Sequence, residues 1–180
     1  MKLLLLATTG ILQGIHLFPS YAEARPDFVL KKDDVVAFVG GTDMVRMQKA
    51  GLVEGSITKR FLAAKPRFRD LAWDGDTVYR QSTVSNRWRR QAFGDWGMQL
   101  KKVGATVVIA QFGKIESLDG PDRLEDFTKA YDKLVDLFSL DDRRVTLLAP
   151  SAFEWSVEET SFDAYTLAIE ELATRRNIPF

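Results

Sequence analysis

The chain has 180 residues, 46% of them hydrophobic, enough for one domain with a core of its own. Its 25 basic and 25 acidic side chains cancel, so no overall field draws it to nucleic acid or an anionic membrane. It has no cysteine, which excludes disulfides and thiol catalysis, and its single histidine is His16.

Residues 1–24 have the three parts of a secretory leader. Lys2 supplies a short positive region, Leu3–Leu6 and Ile11–Phe18 an apolar core, and Ala22-Glu23-Ala24 an A-x-A cleavage site. On this reading the mature chain begins near Arg25, is secreted or periplasmic, and contains no histidine. The alternative is a buried N-terminal helix. No other stretch is long and apolar enough to span a bilayer.

Arg25–Asp34 is polar and reads as an extended lead-in. Val35–Val39 is apolar on both faces and breaks at Gly40-Gly41-Thr42-Asp43, the pattern of a buried parallel strand followed by a helix. In open α/β folds the residues just past such a strand face the ligand. Thr42–Lys65 predicts two short helices with a break near Gly51. Phe68–Trp73 predicts a second strand, followed by the turn Asp74-Gly75-Asp76. Thr77–Arg90 has no clean period and carries the cluster Arg87, Arg89 and Arg90, read as a solvated surface. Phe93–Val103 regains helical spacing and ends at Gly104.

Ala105–Phe112 is the clearest strand and ends at Gly113. Gly120-Pro121 then opens a helix with Leu124, Phe127, Tyr131, Leu134 and Phe138 on one face. Val145–Ala149 predicts a fourth strand, stopped by Pro150, and a last helix carries Phe162, Tyr165, Ile169 and Leu172. Strands alternating with helices imply right-handed crossovers and one three-layer α/β/α domain over residues 25–180.

Three strands end at glycine-bearing turns, where backbone can approach a ligand and leave amide hydrogens pointing outward. Two such amides near a hydroxyl would make a simple acyl-transfer site; tight turns alone also account for the glycines. G-x-G-x-x-G, the Walker pattern and G-x-S-x-G are all absent, which argues against nucleotide binding and a standard α/β-hydrolase elbow. Neither a metal nor a cofactor is expected.

The blocks Phe38-Val39-Gly40-Gly41-Thr42, Leu71–Val78 and Phe112-Gly113-Lys114-Ile115-Glu116-Ser117 resemble, in order and spacing, the SGNH (GDSL-like) hydrolases, and within them a secreted bacterial branch. The resemblance runs from Asp34 to the C-terminus. It implies a flavodoxin-like α/β/α sandwich and hydrolysis of carboxylic esters, including acetylated sugars and lipids. It also implies that Thr42 stands at the nucleophile position, usually serine, and that Gly75 supplies an oxyanion N–H. Ile115 stands where the family has an oxyanion asparagine, and Glu116 fits the branch pattern. The family's last block brings an aspartate and a histidine after a fifth strand. Here Asn177-Ile178-Pro179-Phe180 resembles the lead-in to that strand, so the expected sheet lacks its last strand and helix. Asp43 and Asp76 lie near the site as carboxylate bases or as turn and capping groups.

Three readings follow. One is an SGNH-type esterase acting at Thr42 on a small-molecule or carbohydrate ester, and Thr42→Ala would abolish its turnover. Another is a non-catalytic secreted binding domain for a carbohydrate or protein, with Trp73, Tyr79, Trp88 and Trp155 as cleft or core aromatics. It would show saturable binding without turnover. A flavodoxin-like phosphate or cofactor binder has the fold but no phosphate-cradling loop. An early end to the sheet would expose the edge of Val35–Val39 or of Val145–Ala149, inviting self-association.

Overall fold

The computed structural model describes residues 26–79, 91–154 and 159–180. The leader-like residues 1–24, the Arg87, Arg89 and Arg90 cluster, Trp88 and Trp155 lie outside them. Four strands, β1 (Val35–Gly40), β2 (Arg67–Asp70), β3 (Val107–Gln111) and β4 (Arg144–Leu147), form one sheet in the order β2-β1-β3-β4. Every pairing is parallel. Helices α1 (Thr42–Lys49) and α2 (Leu52–Arg60) follow β1, and α3 (Trp96–Lys102) precedes β3. Helix α4 (Leu124–Phe138) joins β3 to β4, and α5 (Glu159–Arg175) follows β4.

The central strand explains why its sequence is apolar throughout. All six residues of β1 are buried, because strands flank it on both sides and helices cover both faces. Val36 and Phe38 join Met44 and Ile57 of α1 and α2, while Ala37 and Val39 join Trp96, Phe127 and Tyr165 of the other helices. Helix α4 buries Phe127, Tyr131, Leu134, Val135 and Phe138 in that second layer. Each such side chain contributes about 1.5–3 kcal/mol.

The strand order settles which edge is open. Strand β1 is internal, so the expectation of an exposed Val35–Val39 edge is corrected: the edges are β2 and β4. The outer side of β4 is met by the C-terminal residues, where the Leu147 N–H donates to the Pro179 carbonyl at 3.0 Å. Boundaries also move. The second strand begins at Arg67, and its pairing with β1 runs on through Leu71 N–H to Phe38 and Trp73 N–H to Gly40. The helix before β3 starts at Trp96, and Phe93 instead ends a separate helical segment (residues 91–93), because Gly94 has φ +82° and Asp95 caps the new helix, its carboxylate accepting from the Met98 N–H at 2.8 Å. Phe93 is left 52% exposed against Trp73.

At the opposite end of the sheet from the glycine turns, Asp34 pins the lead-in. It is buried and accepts from the Lys31 N–H, the Thr106 hydroxyl at 2.8 Å and the Arg144 guanidinium at 2.5 Å. Arg144 also donates to the Val29 carbonyl at 2.6 Å. One carboxylate thereby ties the lead-in to β3 and β4.

Candidate active site

Parallel pairing puts the carboxyl ends of β1, β2 and β3 side by side, and the three glycine turns converge there. Gly41 is the N-cap of α1 and Thr42 its first residue. A Cβ on Gly41 would lie 2.6 Å from the Asp76 carbonyl oxygen, so only glycine lets the second turn pack this close. The approach has a polar result: the Gly75 N–H donates to the Thr42 hydroxyl oxygen at 2.9 Å.

Glu116 holds the second and third turns together. It is 2% exposed, and its two carboxylate oxygens accept from the Val78 N–H and the Gly113 N–H, each at 2.9 Å. Burial raises its pKa above the ordinary 4.5, against the lowering influence of those backbone donors. Its geometry is that of a brace beneath the site. Ile115, by contrast, is 37% exposed and has no side-chain donor.

The two candidate carboxylate bases differ. Asp43 accepts at one oxygen from Lys114 Nζ at 3.0 Å, and at the other from the Ser151 hydroxyl at 2.8 Å and the Ser151 N–H at 3.1 Å. Both oxygens are thus committed to the loop contacts rather than to Thr42. Asp76 is 2% exposed and accepts from the Thr77 N–H at 3.1 Å, a turn-stabilising contact.

Lys114 and Ser151 were not singled out by the sequence. The Lys114 ammonium donates to Asp43, to the Ser151 hydroxyl at 3.1 Å and to the Ala152 carbonyl at 3.2 Å, and lies 5.1 Å from the centre of the Phe153 ring. This network joins the turns after β1, β3 and β4. Its only signal in the sequence is position, each residue lying just past a strand. Thr42, Asp43, Asp76, Lys114, Ile115 and Glu116 border one small cavity of about 20 Å³, together with backbone of the turns. Such a volume takes about one water molecule.

Trp73 is 39% exposed and Tyr79 is half-buried, so neither is a simple core residue. Among the described residues no group of three or more histidine, cysteine, aspartate or glutamate side chains is placed to hold a metal ion. No helix among them is long and apolar enough to cross a membrane.

No family model and no curated protein matches the sequence. Solved structures do match. A GDSL-like lipase from Parabacteroides merdae superposes with a TM-score of 0.56 at 18% identity, over 85% of this chain and 78% of that one. An acetylxylan esterase from Geobacillus stearothermophilus gives 0.57 at 15%, over 83% and 75%. An α/β hydrolase enzyme from the metagenome of Lake Arreo, Spain, gives 0.59 at 15%, over 83% and 76%. At these identities the likeness establishes the fold. The chain has the SGNH (GDSL-like) hydrolase fold.

Proposed function

We propose that the chain serves the hydrolysis of carboxylic esters at Thr42, with the Gly75 N–H as an oxyanion donor, and that its own residues support this reaction slowly. The observation that carries the reading is the 2.9 Å contact between the Gly75 N–H and Thr42 Oγ1, made across two turns of an esterase-like fold. A hydroxyl with a backbone donor beside it is the minimal equipment for holding the charge of a tetrahedral intermediate. Speed is limited by proton removal. The only imidazole in the sequence is His16, in the leader-like segment, and the Asp43 carboxylate is occupied. Asp76, the other candidate base, is buried in its own turn and accepts from the Thr77 N–H. On this reading Thr42 loses its proton to hydroxide in solvent, and its methyl group narrows the rotamers from which it can attack. Loss of an oxyanion side-chain donor, as at Ile115, typically costs about a hundred- to a thousand-fold in rate.

The test is p-nitrophenyl acetate hydrolysis by the full chain, with Thr42→Ala, and with His16→Gln to control for the one imidazole. The expected rate is slow, rises steadily with hydroxide, is untouched by His16→Gln and falls to background in Thr42→Ala. A rate that Thr42→Ala leaves unchanged overturns the site. An inflection near the usual imidazole pKa of about 6.5 that His16→Gln removes overturns the account of the base.

The second reading, a binding domain without turnover, is favoured by Ile115, an apolar, partly exposed residue that borders the cavity at a position where a donor would serve catalysis. Saturable ligand binding with no Thr42-dependent hydrolysis at any pH would select it. In either case we place the protein in the periplasm or outside the cell on the leader pattern of residues 1–24. N-terminal sequencing of protein from its native host, expected to begin near Arg25, checks that placement.

A further inference from the structure

The site as described has one oxyanion donor and a position, Ile115, that offers none. Of the residues bordering the cavity, Lys114 alone carries a positive charge. We propose that Lys114 is a catalytic residue here: its ammonium stabilises the oxyanion formed when Thr42 attacks an ester carbonyl. This proposal rests on the ester-site reading above and adds the group that compensates for Ile115.

Three features of the structure support it. The Lys114 side chain is 18% exposed, so its charge acts in a partly water-excluded setting where it counts for more than at an open surface. It is held in place beside the nucleophile's own turn, because Asp43, the residue next to Thr42, accepts from Nζ at 3.0 Å and is itself anchored by the Ser151 N–H and hydroxyl. One of its hydrogens is also available by exchange. The Ala152 carbonyl, at 3.2 Å, is the longest of its three contacts and a neutral acceptor. An oxyanion makes a charge-assisted bond and displaces it readily.

In the reaction, Thr42 Oγ1 bonds to the carbonyl carbon and the π pair moves onto oxygen, where Lys114 and the Gly75 N–H meet it. The hydroxyl proton passes to solvent hydroxide. Collapse of the intermediate then expels the alkoxide, which takes a proton from water and leaves acyl-Thr42.

Phenylboronic acid tests this without requiring turnover. Thr42 Oγ1 adds to boron, its proton goes to solvent, and the product is a tetrahedral boronate anion that presents its charge to the same donors. Binding is read by titration calorimetry at alkaline pH on the full chain. The expected result is a loss of about tenfold or more in affinity for Lys114→Met, with Lys114→Arg within a few-fold of the parent because it keeps the charge. A merely structural lysine would not show that pattern in affinity. Ile115→Asn leaves the Asp43 network intact and should tighten boronate binding while shrinking the cost of Lys114→Met. That variant keeps the test decisive should Lys114→Met not fold. Unchanged affinity in folded Lys114→Met, with binding lost in Thr42→Ala, overturns the role of Lys114 and spares the ester site. No gain from Ile115→Asn overturns the idea that a donor is wanting there. Affinity unchanged in Thr42→Ala overturns the ester site, and the proposal with it.

Discussion

Replacing Glu116 tests the brace that holds the site together. Its two oxygens satisfy the Val78 and Gly113 N–H groups at 2.9 Å each, with the residue 2% exposed. Glu116→Ala leaves two buried donors without acceptors, at about 1–3 kcal/mol each, so the expected destabilisation is about 2–6 kcal/mol. That is a large fraction of the roughly 5–15 kcal/mol typical of a whole domain. Glu116→Gln keeps one acceptor and turns an NH₂ toward the other N–H, for about 1–3 kcal/mol. The pH dependence carries a definite sign. Burial raises the folded pKa above 4.5, so between that value and the raised one the native state binds more protons than the unfolded chain. The contribution of Glu116 is therefore largest at acid pH and falls as pH rises through that window. Urea unfolding of the parent and Glu116→Gln at a series of pH values above 4.5 should show the gap narrowing upward. A gap that widens with pH would mean that the backbone donors outweigh burial, and the reasoning fails.

Two further outcomes follow from the same geometry. Burial works to raise the Asp34 pKa, but hydrogen bonds from Arg144, the Lys31 N–H and Thr106 outweigh it and hold the pKa below 3.8. Its stabilisation is thus present above pH 3.8 and lost as pH falls through the lowered value. Asp34→Asn should cost about 1–3 kcal/mol in urea unfolding at pH 7, with the difference shrinking below pH 4. Gly41→Ala drives a Cβ into the Asp76 carbonyl at 2.6 Å. It should cost about 1–3 kcal/mol and speed hydrogen exchange at the Gly75 amide, read by NMR. Unchanged exchange there would show that the two turns do not depend on each other.

Local patterns carried much of this fold. The double-sided apolarity of Val35–Val39 marked the central strand, and the spacing from Phe127 to Phe138 marked the buried face of α4, because each is set by neighbours along the chain. The break at Gly51 marked the turn between α1 and α2; its φ of +64° is one that glycine adopts freely. Strand order was not legible, since pairing is decided between distant segments: of the two edges considered, β1 proves internal and β4 is an edge met by the C-terminal residues, while the edge strand β2 was not considered. Phe93 kept the helical period but was cut off by the Gly94 turn and the Asp95 cap. Motif order picked out Thr42, Gly75 and Glu116 as candidates, and the turns that carry them do meet. The Lys114–Asp43–Ser151 network was not, because its contacts span 71 and 108 positions and have no local signature.

The central claim is that Thr42, beside the Gly75 N–H, is where an ester is attacked. Acylation by p-nitrophenyl acetate expels a good leaving group, whereas deacylation must expel the Thr42 alkoxide with no imidazole among the described residues to activate water, so deacylation is the slower step and the acyl-protein accumulates. The most direct measurement is therefore peptide mapping by mass spectrometry after brief exposure of the full chain to p-nitrophenyl acetate at alkaline pH. The account predicts one acetyl group on Thr42 at high occupancy, absent from unfolded protein. Acetylation confined to lysines and the N-terminus, or centred on Ser151, would contradict it.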